Sequence, residues 1–132
     1  MKLSILSEAK GKAAVAVIEY HGKVLLGQSK ADDDRKGMWC FPGGHIRKGE
    51  APQRAAVREA KEETGVTCRV VKGPLTTTEK PTVQFFHCKC STETAPKPNN
   101  EFNAMGWFTS REMRGLKLYH NVRDILGRFD IV

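Results

Sequence analysis

The chain has 132 residues, a formal net charge of +7, 39% hydrophobic and 28% charged residues, figures that fit one globular domain over residues 1–132 and exclude a wholly disordered chain. No window approaches the ~18 consecutive apolar residues of a membrane span, and the apolar run within residues 1–8 is too short for a secretory signal; a cytoplasmic protein is expected. Residues 1–49 and 67–132 each carry +4 while residues 50–66 carry −1, an acidic segment in a basic body, and no run of like charges supports a nucleic-acid tail.

Ala13-Ala14-Val15-Ala16-Val17-Ile18-Glu19-Tyr20 is a continuous apolar run with β-branched residues, the pattern of a strand buried on both faces. His21-Gly22 turns the chain into a second strand over residues 23–28, giving a hairpin. Residues 31–37, with three consecutive aspartates, read as a polar loop whose acids face water. Trp39-Cys40-Phe41 is stopped by Pro42-Gly43-Gly44, where the glycines are expected to supply turn angles closed to other residues. A helix is predicted over residues 51–64. Pro52 suits its first position, Ala51 is a poor N-cap, and Gly65 ends it. Val57, Ala60 and Thr64 would form its core stripe.

Strands are predicted over residues 67–78 and 82–90, rich in Thr, Val and Phe and separated by Glu79-Lys80-Pro81. Residues 92–100 form a loop with Pro96, Pro98 and Asn99-Asn100, and residues 101–108 return as a strand. A closing helix over residues 121–129 carries Val122, Ile125, Leu126 and Phe129 at three- to four-residue spacing. This order predicts an α/β fold, a mixed sheet with helices on its faces. The four cysteines, Cys40, Cys68, Cys88 and Cys90, have no secretory signal beside them and read as reduced structural thiols.

Chemistry concentrates on the acidic helix. Glu62 and Glu63 follow Glu59 by three and four positions and so share its face. Arg58 reaches Glu62 at i, i+4 and can reach back to Glu50. On spacing alone the set fits a solvated face and a cage for Mg²⁺ or Mn²⁺ equally, since both ions take oxygen ligands. The Gly43-Gly44 turn just upstream could aim a backbone carbonyl at the same cation.

Together these positions read Gly44-x₅-Glu50-x₇-Arg58-Glu59-Ala60-x-Glu62-Glu63-x-Gly65-Val66. The pattern resembles the box of the Nudix hydrolases, G-x₅-E-x₇-R-E-U-x-E-E-x-G-U with U apolar, and every fixed position matches. Gly37-x-Trp39-x-Phe41-Pro42-Gly43-Gly44 is similar to the family's lead-in, and Glu101, ahead of Trp107, is similar to an extra loop glutamate of many members. Ala51 departs from the Ser or Thr common after Glu50.

The resemblance implies an α/β/α sandwich and a MutT-like hydrolase that cuts a nucleoside diphosphate from a linked group X. Mg²⁺, with Mn²⁺ as substitute, would be held by Glu59, Glu62, Glu63, the Gly43 carbonyl and Glu101. Glu59 would be the base that orients the attacking water, with Glu101 second, and Arg58 and Glu50 would orient the carboxylates. Gly37-x-Trp39, the Gly43-Gly44-His45-Ile46 lead-in and a final helix starting near Asn121 are similar to the triphosphate-cleaving members, which release monophosphate and pyrophosphate. Phe85, Tyr119 and Asn121 are the candidate nucleoside contacts, with Phe86, Trp107 and His120 beside them. Pro81, close to the position of a proline in ADP-ribose pyrophosphatases, keeps ADP-ribose or a nucleotide sugar as the alternative. A non-catalytic module sensing a nucleotide or RNA is the other class, although such members commonly lose box glutamates and this chain keeps all of them. The expected partner is a small nucleotide, with neither membrane nor nucleic acid; a homodimer stays open.

Overall fold

The computed structural model describes residues 12–78, 82–91, 95–96 and 99–131; the expectations for residues 1–8, Pro81 and Pro98 lie outside these. The elements are β1 (Ala13–Tyr20), β2 (Lys23–Ser29), β3 (Trp39–Cys40), β4 (Gly43–His45), α1 (Pro52–Thr64), β5 (Arg69–Thr76), β6 (Val83–Lys89), β7 (Phe102–Phe108), α2 (Ser110–Met113) and α3 (Val122–Arg128). His21 and Gly22 both have positive φ, 47° and 80°, as a two-residue hairpin turn between right-twisted strands requires.

One mixed sheet carries the strands in the order β3-β2-β1-β6-β5, with β4 also on β1 and β7 also on β2. β1 and β6 run parallel from Ala13↔Val83 to Glu19↔Lys89. β1 and β2 pair only near their turn, at Glu19↔Val24 and Tyr20↔Lys23. Beyond it they splay, and the next segment fills the gap by giving β3 to β2 and β4 to β1. This wedge positions the site.

Strand alternation sends side chains to two layers. Val15, Val17, Val24, Leu26 and Phe85 face Met113, Val122, Ile125, Leu126 and Phe129. Ala14, Ala16, Ile18, Leu25, Phe86 and Cys88 face Ala55, Ala56 and Ala60 of α1. The result is a mixed sheet with helices on both faces, as the order of elements predicts, and the α/β/α sandwich that the resemblance implies. Among the described residues no helix is long and apolar enough to cross a membrane.

Three local expectations change. Gly43 and Gly44 are strand residues, not a turn. Glycine is needed at 43 for closeness, because a Cβ there would lie 2.7 Å from the Ala14 carbonyl oxygen. In the loop over 31–37, Asp33 takes both Nε and Nη2 of the buried Arg35, at 3.2 and 2.7 Å. Asp34 accepts from the Tyr119 hydroxyl at 3.1 Å, so two of the three acids pin the loop. Finally, α2 was not anticipated. Its capping box, Thr109 with Glu112, stands in the sequence as Thr-x-x-Glu.

Candidate active site

Helix α1 begins at Pro52 after an Ala51 N-cap that makes no side-chain hydrogen bond, and it ends on Gly65 at φ 77°. Of its expected stripe, Ala60 and Thr64 are buried and Val57 packs at the margin of the core, but the buried face is broader. Val57 is only half-buried, and the inward face is Ala55, Ala56, Glu59, Ala60, Glu63 and Thr64. Alanines on the helix meet Ala14 and Ala16 on the sheet, and small residues on both surfaces let backbone approach backbone. That approach carries two carboxylates inward: Glu59 is 4% and Glu63 5% exposed.

Both arrive at the wedge. The bonds Ala16 N–H to Pro42 O, 2.9 Å, and Ile46 N–H to Lys12 O, 3.0 Å, fix the bonded register on either side of the Val15↔Gly43 pair. Gly43 therefore sits at a non-hydrogen-bonded position, where N–H and C=O both point away from β1. Its N–H donates to Glu63 Oε1 at 3.2 Å. Burial pushes the Glu63 carboxyl up to about 8, with the Glu59 charge adding to the rise. Burial likewise raises Glu59 to about 7, assisted by its hydrogen bond with Glu62.

Arg58 is the hub. Its Nε and Nη2 grip the two oxygens of Glu50 at 2.8 and 3.0 Å, and Nη2 also donates to the His45 carbonyl at 2.9 Å. Nη1 donates to Glu62 Oε1 at 2.8 Å and lies 3.5 Å from Glu59 Oε1. The forked bond from Arg58 holds the Glu50 carboxyl down at about 2, and the same bond raises the guanidinium further. Glu50 also accepts from the Arg47 amide at 3.0 Å, which ties the 46–50 loop to the helix.

The three glutamates of the box that lie on α1 do not act as one face. Glu59 and Glu63, four apart, point inward, whereas Glu62 is rotated by about 100° from its neighbour and its side chain is 48% exposed. Glu62 turns outward to Arg58 and to Arg47 Nη2, at 3.5 Å. As they stand, no three His, Cys, Asp or Glu side chains among the described residues converge on one point. The donor set nonetheless fits a hard cation. Two dry carboxylates with raised pKa values and a backbone carbonyl turned out of its ladder are oxygen donors that a divalent ion would satisfy.

Glu101 reaches this end of the molecule through Asn99, a residue the sequence reading passed over. Asn99 Nδ2 donates to the Glu63 carbonyl in the last turn of α1. Its Oδ1 accepts from the Glu101 amide at 2.7 Å and the Phe102 amide at 3.2 Å. Its own carbonyl accepts from Lys30 Nζ at 2.7 Å. Asn99-Asn100 looks like turn chemistry in sequence, and the partner 36 positions away leaves no local trace.

The aromatic candidates separate. Phe86 and Trp107 lie on the α1 side of the sheet, Phe85 and Tyr119 on the α3 side, as strand alternation requires. Phe85 is 3% exposed, edge-on to Phe41, and as it stands shows no face to a ligand. Tyr119 lines a cleft of about 270 Å³ with Met113, Arg114, Leu118, His120 and Arg123. Asn121 is the N-cap position of α3 and makes no side-chain cap bond.

The model of the NUDIX domain matches residues 10–128. The chain belongs to the Nudix family. The Escherichia coli CTP pyrophosphohydrolase is 41% identical over 59 residues, 45% of this chain and 44% of that protein. A Caenorhabditis elegans protein named as a nudix hydrolase is 30% identical over 124 residues, 89% of this chain and 34% of that one. The crystal structure of a Nudix-family hydrolase from Clostridium perfringens superposes with a TM-score of 0.76 at 18% identity, over 89% of this chain and 94% of that one. Other relatives, matched over less than half of this chain, are named 8-oxo-dGTP diphosphatase, ADP-ribose pyrophosphatase and RNA pyrophosphohydrolase. The matches span less than half the length of these curated relatives. Nudix hydrolases act on phosphoric anhydrides and generally use a divalent metal.

Proposed function

We propose that this chain is a Mg²⁺-dependent pyrophosphohydrolase that cleaves a nucleoside triphosphate to monophosphate and pyrophosphate. The observation that carries the reading is the convergence of buried Glu59 and Glu63 with the outward-facing backbone of Gly43 in the sheet's wedge. Two buried carboxylates are costly to charge, and a divalent ion that also binds phosphate oxygens would offset that cost.

A bound divalent ion supplies charge against the diphosphate and makes its water more acidic. Glu63 and Glu62 would hold the ion, with the Gly43 carbonyl. Glu59, whose carboxyl lies near neutrality, suits the role of base and accepts the water proton on a carboxylate oxygen. Glu101 stands second for that role. Arg58, locked by Glu50, keeps Glu59 and Glu62 in register and shields their mutual repulsion. Tyr119 and Asn121, on the other layer, are assigned to the nucleoside.

The triphosphate reading draws on the named activities of the CTP pyrophosphohydrolase and 8-oxo-dGTP diphosphatase relatives. The test is a product assay in Mg²⁺ on triphosphates, modified ones included, with ADP-ribose and nucleotide sugars in parallel. Monophosphate plus pyrophosphate is expected. Monophosphate plus a sugar phosphate as the main product would move the assignment to ADP-ribose-type substrates, and no metal-dependent product would overturn the enzyme reading.

A further inference from the structure

We propose that Arg47 is the substrate-phosphate anchor of this chain, parked on Glu62 until a divalent ion claims that carboxylate. This deepens the hydrolase reading above and rests on it. Glu62, unlike Glu59 and Glu63, lies outside the dry pair, and two guanidiniums hold it: Arg58 at 2.8 Å and Arg47 at 3.5 Å. The two arginines are not equivalent. Arg58 spends its donors on Glu50, Glu62 and the His45 carbonyl and is mostly buried. The Arg47 side chain is 65% exposed, and Glu62 is its sole ion-pair partner among the described residues.

The Arg47 backbone is nonetheless fixed, because its amide is bonded to the Arg58-locked Glu50. The result is a long cationic side chain on an anchored base at the mouth of the carboxylate site. Other cations nearby are spent differently: Lys61 Nζ turns to the Gly65 carbonyl at the far end of α1.

Charge balance gives the sequence of events. If Glu62 were to serve as a ligand of a divalent ion, its negative charge would be taken up and the Arg47 pair would be lost. The guanidinium would then be available to a bound diphosphate, whose oxygens can match its planar fork in a bidentate fashion. The exposed pair with Glu62 is weak, so the exchange is easy. Arg47 thus opposes metal binding slightly in the empty protein and favours phosphate binding in the loaded one.

The test compares wild type, Arg47→Ala and Arg47→Lys. Mn²⁺ affinity is measured by electron paramagnetic resonance without nucleotide, and affinity for an α,β-methylene nucleoside triphosphate by calorimetry in saturating Mn²⁺. Arg47→Ala is expected to bind Mn²⁺ roughly threefold tighter, the worth of an exposed pair. It should bind the analogue about tenfold more weakly, the loss of a charge-assisted bond at a half-open site. Arg47→Lys should recover part of the second effect, as a point charge without the fork. Unchanged analogue affinity, or Mn²⁺ affinity that is unchanged or weaker, overturns the role of Arg47 while wild-type turnover leaves the hydrolase reading standing. A wild-type protein that neither binds Mn²⁺ nor turns over any substrate would overturn both.

Discussion

Replacing Glu63 by Gln should make the metal-free protein more stable and the enzyme inactive. Glu63 is 5% exposed and its carboxyl is raised to about 8 in the folded state, chiefly by burial. A folded pKa above the ordinary value of 4.5 means that the native state prefers the protonated form. Native stability is therefore fullest below pH 4.5, declines as pH rises, and reaches its full loss above about 8. At pH 7 the charged carboxylate costs about 3 kcal/mol, and at pH 5 under about 1 kcal/mol. Glutamine carries no such cost and its Oε1 still accepts from the Gly43 amide. In EDTA at pH 7, Glu63→Gln should melt up to ~10 °C above wild type, with the difference mostly gone at pH 5. Adding Mn²⁺ should raise the wild-type melting point and leave the variant nearly unmoved, and the variant should show almost no turnover. Circular-dichroism melts at two pH values, with and without metal, decide it. A variant less stable than wild type in EDTA at pH 7, or a gap equally wide at pH 5, would refute the argument that burial destabilises the charged form of this carboxylate.

Ala51→Ser gives α1 the side-chain acceptor its N-cap lacks and should add about 1 kcal/mol of stability, read from urea midpoints, with kcat/KM within twofold of wild type. Arg58→Ala strands Glu50 and removes four bonds at once; we expect a loss of about 3–5 kcal/mol together with most activity, and a normal melting point would contradict the hub role. Asn99→Ala cuts the link between the Glu63 carbonyl and the Glu101 amide and should lower kcat about 10-fold. Steady-state kinetics should show Glu101→Gln adding little further loss in that background.

The elements were legible where local chemistry acts alone. The apolar run of β1, the His21-Gly22 turn, and the Pro52 start and Gly65 stop of α1 all occur where sequence placed them, since each depends on backbone angles or periodicity within a few residues. The box spacing likewise pointed to the family, because the arrangement of Glu50, Arg58 and Glu62 is fixed by one helix and the loop before it. What one helix does not contain was not legible. The glycines at 43 and 44 looked like a turn, and only the splaying of β1 from β2 makes them a strand whose free edge meets Glu63.

Three glutamates at 59, 62 and 63 share a helix surface in sequence. The packing of Ala55, Ala56 and Ala60 onto Ala14 and Ala16 decides that two go inward and one stays out with Arg47. Phe85, adjacent to Phe86, offered an aromatic face until the α3 layer closed over it. Sequence alone therefore brought Glu50, Arg58, Glu59, Glu62 and Glu63 forward as the candidates for the chemistry. The tertiary structure decided which of them are dry, because burial arises from contacts among segments far apart in the chain, and burial is what turns a surface carboxylate into one that calls for a cation.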